Sequence, residues 1–356
     1  MAMRIIHPRP NPIVAAMYTL RDLNVDVIVV HGPAGCCFMA SRMLEEAGVR
    51  VVTSGLKDDD LIFGGMKPLV ETLKMAYDKF KPKVIAVIGT CSSMIIGEDM
   101  GAAIRQANLD CTVFPVDCHG CTGDNTTGAI LALEAANVAG LLSDEEKDRQ
   151  VSLMKAATSM EKRVGMAGRE YLSPTRGPTK LSAANRMMNA LRDGKKVCCV
   201  MLAKKELAFR FADMFLALHQ AQQKLGGDLL LLGNLDVNLG LPRIRGYAES
   251  ITSELKENGV EFEVVGGLDE YALLGDRMKE KVEDYSPDLL IVIGIPHAYP
   301  ELKEGQILVT DQPRQLANYL SMGLDAVGEI ASHSMVMGAK TIVPLETGDT
   351  IRELLE

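Results

Sequence analysis

The 356-residue sequence has no tryptophan, and aromatic residues make up only 4% of it. It also lacks an excess of positive charge, because 38 Lys and Arg residues stand against 47 Asp and Glu residues and give a formal net charge of -9. Proteins that bind nucleic acid through phosphate contacts need clustered basic residues, and no basic stripe is present here. We therefore expect no nucleic-acid partner.

The sequence also has no long apolar run, and we expect no targeting segment. The start, MAMRIIHPRPNP, contains three prolines and no apolar segment of the kind found in signal peptides. The longest apolar runs, such as LLLLGNL, are far shorter than a membrane span. We expect a cytoplasmic protein with no membrane partner. Because cytoplasmic thiols stay reduced, disulfides explain the eight cysteines poorly, and some of these cysteines are candidate metal ligands.

Short β-branched runs alternate with segments of helical length along the first 145 residues. The runs DVIVVHG, VRVVTSG, KVIAVIGTC and CTVFPVD contain consecutive apolar residues, which is typical of strands that are buried on both faces. The amphipathic segments between them are long enough to be crossover helices. The pattern predicts a doubly wound, Rossmann-like parallel-sheet α/β domain.

Composition also predicts the domain boundaries. We assign residues 1–145 to the first α/β domain and 146–185 to a helical segment and a linker, because LSPTRGPTK concentrates proline, glycine and basic residues. The alternation resumes over 186–356, which we interpret as a second α/β unit with a candidate division near residue 290. The chain would then contain two or three α/β domains.

Cysteines concentrate in the segments that follow the predicted strands of the first domain. The segment HGPAGCC contains Cys36 and Cys37, GTCSSMIIGED contains Cys91, and DCHGC contains Cys118 and Cys121. Ligands of open parallel sheets bind at the carboxyl ends of the strands, and a helix N-terminus favours a thiolate over a thiol. The pattern favours a shared thiolate site, although a cysteine near a strand end is also a common small apolar residue.

The glycine-rich turns match no nucleotide-binding motif. The segment GPAGCC fits neither G-x-G-x-x-G nor a loop that ends in G-K-S/T, so we expect that this chain does not hydrolyse ATP itself. The segment CHGC has the spacing of zinc and dithiol sites, but no second pair completes a four-ligand zinc site. A metal site, a cluster-free α/β ligand-binding protein and an enzyme with Cys36 or Cys91 as its nucleophile remain alternatives.

The order of HGPAGC, DDDLIFGG, GTCSSMIIGED and DCHGCTGDN resembles the nitrogenase component 1 superfamily over residues 25–135. Its members hold an iron–sulfur cluster between two subunits with the cysteines of the HGPxGC turn and of the TC turn. The resemblance implies Cys36 and Cys91 as the cofactor-binding metal ligands here. Larger members have a further ligand upstream, whereas this sequence has no cysteine before Cys36. The resemblance therefore implies one 4Fe-4S cluster that is shared across a homodimer.

The resemblance also implies a reaction and a partner. The chain is short and has no match for the late cysteine and histidine that hold the nitrogenase iron–molybdenum cofactor. It is most similar to the branch that reduces and cyclises a nickel tetrapyrrole, Ni-sirohydrochlorin a,c-diamide, for the nickel coenzyme of methanogens. Members of this branch receive electrons from an ATP-hydrolysing, nitrogenase iron-protein-like reductase, so ATP is expected only on the partner. Another nitrogenase-like reductase or a cofactor-assembly scaffold is the alternative within the superfamily.

Reduction of a tetrapyrrole also needs proton donors, and the sequence assigns no catalytic residue to this role. We expect His31 to orient the HGPAG turn and Cys37 to pack. His297 follows the run LLIVIGIP at the predicted ligand edge of the second unit. The candidate donors are His31, Asp117, His119, Asp124 and His297.

Overall fold

A computed structural model describes residues 11–164, 178–269, 272, 274–311, 316–329 and 336–356. The chain forms two compact units that divide between Thr158 and Ser159, and we call them the N-terminal and the C-terminal unit. Residues 165–177 of the predicted linker lie outside the described residues, and the boundaries at 145 and 185 stay a prediction. Among the described residues, no helix combines the length and the apolar character that a membrane crossing requires.

The N-terminal unit contains a parallel sheet of four strands. In chain order these are β1 (Val27–His31), β2 (Arg50–Thr53), β3 (Val84–Gly89) and β4 (Thr112–Val116). Their order in the sheet is β2-β1-β3-β4, and every pair is parallel. The direction of winding therefore reverses between β1 and β3, which makes the carboxyl ends of these two strands the topological switch point of the sheet.

Helices connect these strands, as parallel pairing requires. The connecting helices are α2 (Phe38–Glu46), α3 (Asp58–Phe63), α4 (Met66–Phe80), α5 (Cys91–Ile95) and α6 (Met100–Ala107). Helix α1 (Pro12–Asp22) precedes β1, and α7 (Asn125–Val138) and α8 (Asp144–Val164) follow β4, with α8 continuing past the division at Thr158. One core cluster joins alternate residues of the strands, such as Val27 and Val87, to Leu69 and Leu73 of α4. The intervening residue Ile28 is also fully buried. Burial on both faces explains why the strands read as continuous apolar runs.

The C-terminal unit contains a parallel sheet of six strands in the order β10-β9-β8-β5-β6-β7. The candidate division near residue 290 would fall inside β8, which pairs with β5 on one side and β9 on the other. The strands are β5 (Lys196–Leu202), β6 (Asp228–Gly233), β7 (Glu263–Val264), β8 (Leu289–Gly294), β9 (Ile307–Thr310) and β10 (Asp325–Gly328). The predicted class, parallel α/β in more than one unit, is confirmed.

Helices also pack around this second sheet. The helices are α9 (Pro178–Arg192), α10 (Ala208–Phe211), α11 (Asp213–Leu225), α12 (Pro242–Glu257), α13 (Gly275–Tyr285), α14 (Leu316–Ser321) and α15 (Glu346–Leu355).

The buried side-chain amide of Asn234 binds backbone groups beyond the ends of β5 and β6. It donates to the carbonyl oxygens of Ala203 (2.7 Å) and Gly267 (3.3 Å) and accepts from the Ala203 N–H (3.2 Å). The amide thus satisfies backbone groups that have no strand partner there.

In the N-terminal unit, α1 packs closely against α7 at Gly128. Every residue of α1 is buried, including the ion pair between Arg21 and Asp22 (2.7 Å). A Cβ atom added at Gly128 would overlap the backbone carbonyl of Pro12. Glycine is therefore needed at position 128 for the contact and not for a special backbone conformation.

We predict that Gly128→Ala destabilises the N-terminal unit by about 1–3 kcal/mol, because the methyl group would push against backbone that cannot rotate away. The matched control is Gly246→Ala within α12, where no heavy atom lies within 4 Å of the added Cβ. That change should stabilise its helix by about 0.5–1 kcal/mol. Amide hydrogen exchange measures the stability of each unit separately, through α1 and α7 in the N-terminal unit and α12 in the C-terminal unit. Unchanged protection in α1 and α7 of Gly128→Ala would contradict this packing.

Candidate metal centre

Three cysteine-bearing segments begin at the carboxyl ends of neighbouring strands. Cys36 lies in a 3₁₀ turn, Ala34–Cys37, that follows β1 and leads into α2. Cys91 is the first residue of α5, directly after β3, and Cys118 and Cys121 follow β4. Because β1 pairs with β3 and β3 pairs with β4, these segments meet at one edge of the sheet. The structure therefore brings the predicted residues Cys36 and Cys91 to the switch point.

Thr90 joins the turn of Cys91 to the turn of Cys36. Its hydroxyl donates to the carbonyl oxygen of His31 (2.9 Å), and Thr90 and Ser93 form a capping box that starts α5. A Cβ atom at Gly32 would overlap the Thr90 side chain. Gly32, the first glycine of HGPAG, is thus needed for close contact between the two cysteine-bearing segments.

His31 is buried, and its ring contacts Ser54, which follows β2, and Glu98, which follows α5. Its Nδ1 atom lies 2.9 Å from Ser54 Oγ, which also accepts the N–H of Gly32 (3.0 Å). Its Nε2 atom lies 3.6 Å from Glu98 Oε2. Burial lowers the pKa of His31 below its usual value, while the charge and hydrogen bond of Glu98 act in the opposite direction. These contacts are those of a residue that orients the turn.

Glu98 is a residue of this network that sequence reasoning did not single out. Its carboxylate accepts the N–H of Gly65, and a Cβ atom at Gly65 would lie 3.0 Å from the His31 ring and 2.8 Å from Leu56. The segments DDDLIFGG, GTCSSMIIGED and HGPAG are therefore held together by direct contacts. In the sequence, Glu98 could have been noticed as the acidic residue after the second glycine of GTCSSMIIGED. Its contact with His31, however, depends on the fold and cannot be read from the motif.

The thiols around Cys91 lie close together. The Sγ atoms of Cys91 and Cys121 are 3.8 Å apart. With His119 they form a group of three metal-ligand atoms that all lie within 4.8 Å of one another. Burial and, to a smaller extent, the charge of Cys91 raise the pKa of the Cys36 thiol. Cys36 and Cys121 are exposed and Cys91 is partly exposed, so metal can reach all three.

The remaining cysteines differ in burial and position. Burial raises the pKa of Cys118 to about 11, against the lowering effect of a hydrogen bond from Thr122. Cys198 and Cys199 lie inside β5 of the C-terminal unit, and burial raises the pKa of Cys198 to about 12. Cys111 precedes β4 at the opposite end of that strand. The expectation that Cys37 packs concerns a side chain outside the described part of the structure.

The candidate proton donors are not all at this edge. Asp117 is exposed directly before Cys118, and His119 belongs to the ligand group. Asp124 accepts the N–H of Thr127 (3.0 Å) and caps α7. His297 lies in the C-terminal unit, in the 3₁₀ turn Pro296–Ala298 after β8. The structure thus places His119 beside the Cys91 and Cys121 thiols, and which candidate donates a proton stays a prediction.

The family model for "Nitrogenase component 1 type Oxidoreductase" matches residues 12–174. The matched region includes the three cysteine-bearing segments at the sheet edge of the N-terminal unit, and the predicted resemblance to this class is confirmed. The class is that of nitrogenase-like oxidoreductases, whose members generally bind iron–sulfur clusters. The exposed Cys36 thiol and the partly exposed Cys91 thiol fit this class, because thiolates are the usual ligands of such clusters.

Curated relatives match almost the whole chain, as two of them show. Component CfbD of the Ni-sirohydrochlorin a,c-diamide reductive cyclase complex of Methanosarcina acetivorans is 44% identical over 98% of this chain and 97% of its own length. The component of the same name from Methanothermobacter thermautotrophicus is 43% identical over 98% of both chains. This chain belongs to the CfbD family of nitrogenase component 1 type oxidoreductases.

Among solved structures, "Nitrogenase Cp1 at pH 6.5" is similar to this chain with 14% identity and a TM-score of 0.36, over 100% of this chain and 94% of that one. The strand order and the parallel pairing of the two sheets define the fold.

We predict that His31 titrates below about 6.5 in the folded protein and that Glu98→Gln lowers its pKa further, because Glu98 opposes the effect of burial. The unfolded chain then binds the proton more readily, so His31 makes the free energy of unfolding fall as the pH falls below about 6.5. A pH titration of the imidazole NMR signals measures this pKa, with His31→Gln for assignment. A higher pKa in Glu98→Gln would contradict the network.

Proposed function

We propose that this chain is the reductive cyclase component that reduces and cyclises Ni-sirohydrochlorin a,c-diamide. The observation that carries the proposal is the identity of 44% and 43% to two components of that enzyme, over nearly the full length of each chain. A match of this extent includes the C-terminal unit as well as the cysteine-bearing edge. It favours this reaction over that of another nitrogenase-like reductase or of a cofactor-assembly scaffold.

Cys36 and Cys91 are the proposed ligands of the cluster. Each chain offers these two thiols at the switch point, whereas a 4Fe-4S cluster takes four. Two copies around a twofold axis would supply two Cys36 and two Cys91 thiolates. We therefore propose one 4Fe-4S cluster per homodimer. When bound, such a cluster supplies storage and transfer of single electrons.

The chain's own contribution is to hold these ligands in place. The hydroxyl of Thr90 fixes the carbonyl of His31, and the His31 ring fixes the turn through Ser54. Glu98 joins the same network to Gly65. Ligands on turns supported in this way keep one geometry without help from the metal.

The proposed partner is an ATP-hydrolysing, nitrogenase iron-protein-like reductase. The curated relatives are named as components of a complex, which supports a second component for this chain. The sequence contains no G-x-x-x-x-G-K-[ST] motif, so ATP would be bound by that partner. Electrons would reach the nickel tetrapyrrole from the partner through the cluster-bearing dimer.

We predict that the anaerobically purified protein contains about four irons and four acid-labile sulfides per two chains, as one 4Fe-4S cluster requires. Both Cys36→Ala and Cys91→Ala should lose most of this iron, because two of the four thiolates disappear from each dimer. Cys111→Ala is the matched control, since Cys111 lies at the other end of β4. Iron analysis, EPR spectra and mass measurement in solution check content and dimerisation. A cluster that survives both substitutions would refute the ligand assignment.

The reaction itself is tested with Ni-sirohydrochlorin a,c-diamide, the reductase partner, ATP and a low-potential reductant. We expect a reduced and cyclised nickel product that is absent without ATP or without the partner. Nickel-free sirohydrochlorin is the control substrate. A protein that contains its cluster but gives no product with this substrate would refute the proposed reaction while leaving the cluster in place.

A further inference from the structure

The Cys91 and Cys121 thiols are spaced for one metal ion rather than for two irons of a cluster. Two sulfur atoms bound at about 2.3 Å to one tetrahedral ion lie about 3.8 Å apart. The separation between the Sγ atoms of Cys91 and Cys121 is 3.8 Å. In a 4Fe-4S cluster, the four thiolates bind four different irons. The contact is a thiol–thiol hydrogen bond, and one metal ion that binds both sulfurs can replace it at the same separation.

The turn that carries Cys121 is built to approach Cys91. His119 and Thr122 close it, since the His119 N–H donates to Thr122 Oγ1 (2.8 Å) and the Thr122 N–H donates to the His119 carbonyl oxygen (3.0 Å). A Cβ atom at Gly120 would lie only 3.1 Å from Cys91 Sγ. A side chain at position 120 would thus crowd Cys91, and glycine gives the turn access to it.

His119 supplies the third ligand of the group. One ring nitrogen lies within 4.8 Å of both thiol sulfurs. Its Nδ1 atom accepts a hydrogen bond from the Cys121 N–H (3.3 Å), and metal binding through Nδ1 would replace that bond. Two thiolates and one imidazole are a donor set suited to zinc, which binds such ligands in tetrahedral geometry.

We propose that Cys91, His119 and Cys121 form a binding site for one zinc-class divalent ion, with a fourth position open to solvent. Cys36 is not part of this site. Because Cys91 is also the proposed cluster ligand, a zinc ion here and a cluster exclude each other. Only this competition rests on the proposed function, since the site itself is defined by the three ligands.

The first test is a titration of the full-length, iron-free protein with zinc and with cobalt under anaerobic conditions. We expect one ion per chain, and a cobalt spectrum with the intense visible bands of a tetrahedral thiolate site. Cys121→Ser and His119→Ala should each weaken binding at least about tenfold, in line with the loss of one ligand. Cys36→Ala and Cys111→Ala are the controls and should bind as the wild type does. An octahedral cobalt spectrum, or equal affinity in Cys121→Ser, would overturn the site.

The second test measures competition during reconstitution with iron and sulfide. Zinc added first should lower cluster formation in the wild type by the fraction of chains that hold zinc. It should have much less effect in Cys121→Ser, which still forms the cluster. If Cys121→Ser forms no cluster, then Cys121 is itself a cluster ligand, and the proposed competition between a zinc site and a cluster that does not use Cys121 is refuted. If the cluster forms in variants that lack Cys36 and Cys91, the proposed cluster ligands are wrong. The zinc titration still tests the zinc site independently of that result.

Discussion

The parallel pairing of β1 with β3 is the constraint on which the candidate centre depends. In this register His31 lies beside Gly89, so both strands end at the same level and their following turns start side by side. The pairing of Ile88 with Val116 brings the end of β4 to that level too. Backbone hydrogen bonds between strands thus determine which cysteines meet, although no cysteine lies in the strand segments that pair there.

Much of this arrangement follows from the sequence. Continuous apolar runs indicate buried parallel strands, and the rule that ligands bind at carboxyl strand ends places Cys36 and Cys91 at one edge. The contact between Cys91 and Cys121 does not follow, because it needs the neighbouring positions of β3 and β4 and the close approach of Gly120. The partnership of Glu98 with His31 is equally invisible, since it joins residues far apart in the chain through a folded loop.

The cysteine pairs show why spacing alone is a weak guide. Cys198 and Cys199 form an adjacent pair, as Cys36 and Cys37 do, yet they lie fully buried inside a strand of the other unit. CHGC has the spacing of a two-ligand motif, but its first cysteine is buried and its second faces a residue from another strand end. Exposure and strand order separate packing cysteines from candidate ligands, and neither is visible in a short motif.

The contact between Gly32 and Thr90 has a further consequence. It allows the Thr90 hydroxyl to bind the carbonyl of His31 directly, so the turns of Cys36 and Cys91 have no flexible segment between them. Such turns move together or not at all. A redox centre held by them would change shape little between its oxidised and reduced forms. If Cys36 and Cys91 hold the proposed cluster, turns that are joined in this way would give it a small reorganisation energy, the quantity that limits how fast an electron passes between fixed sites.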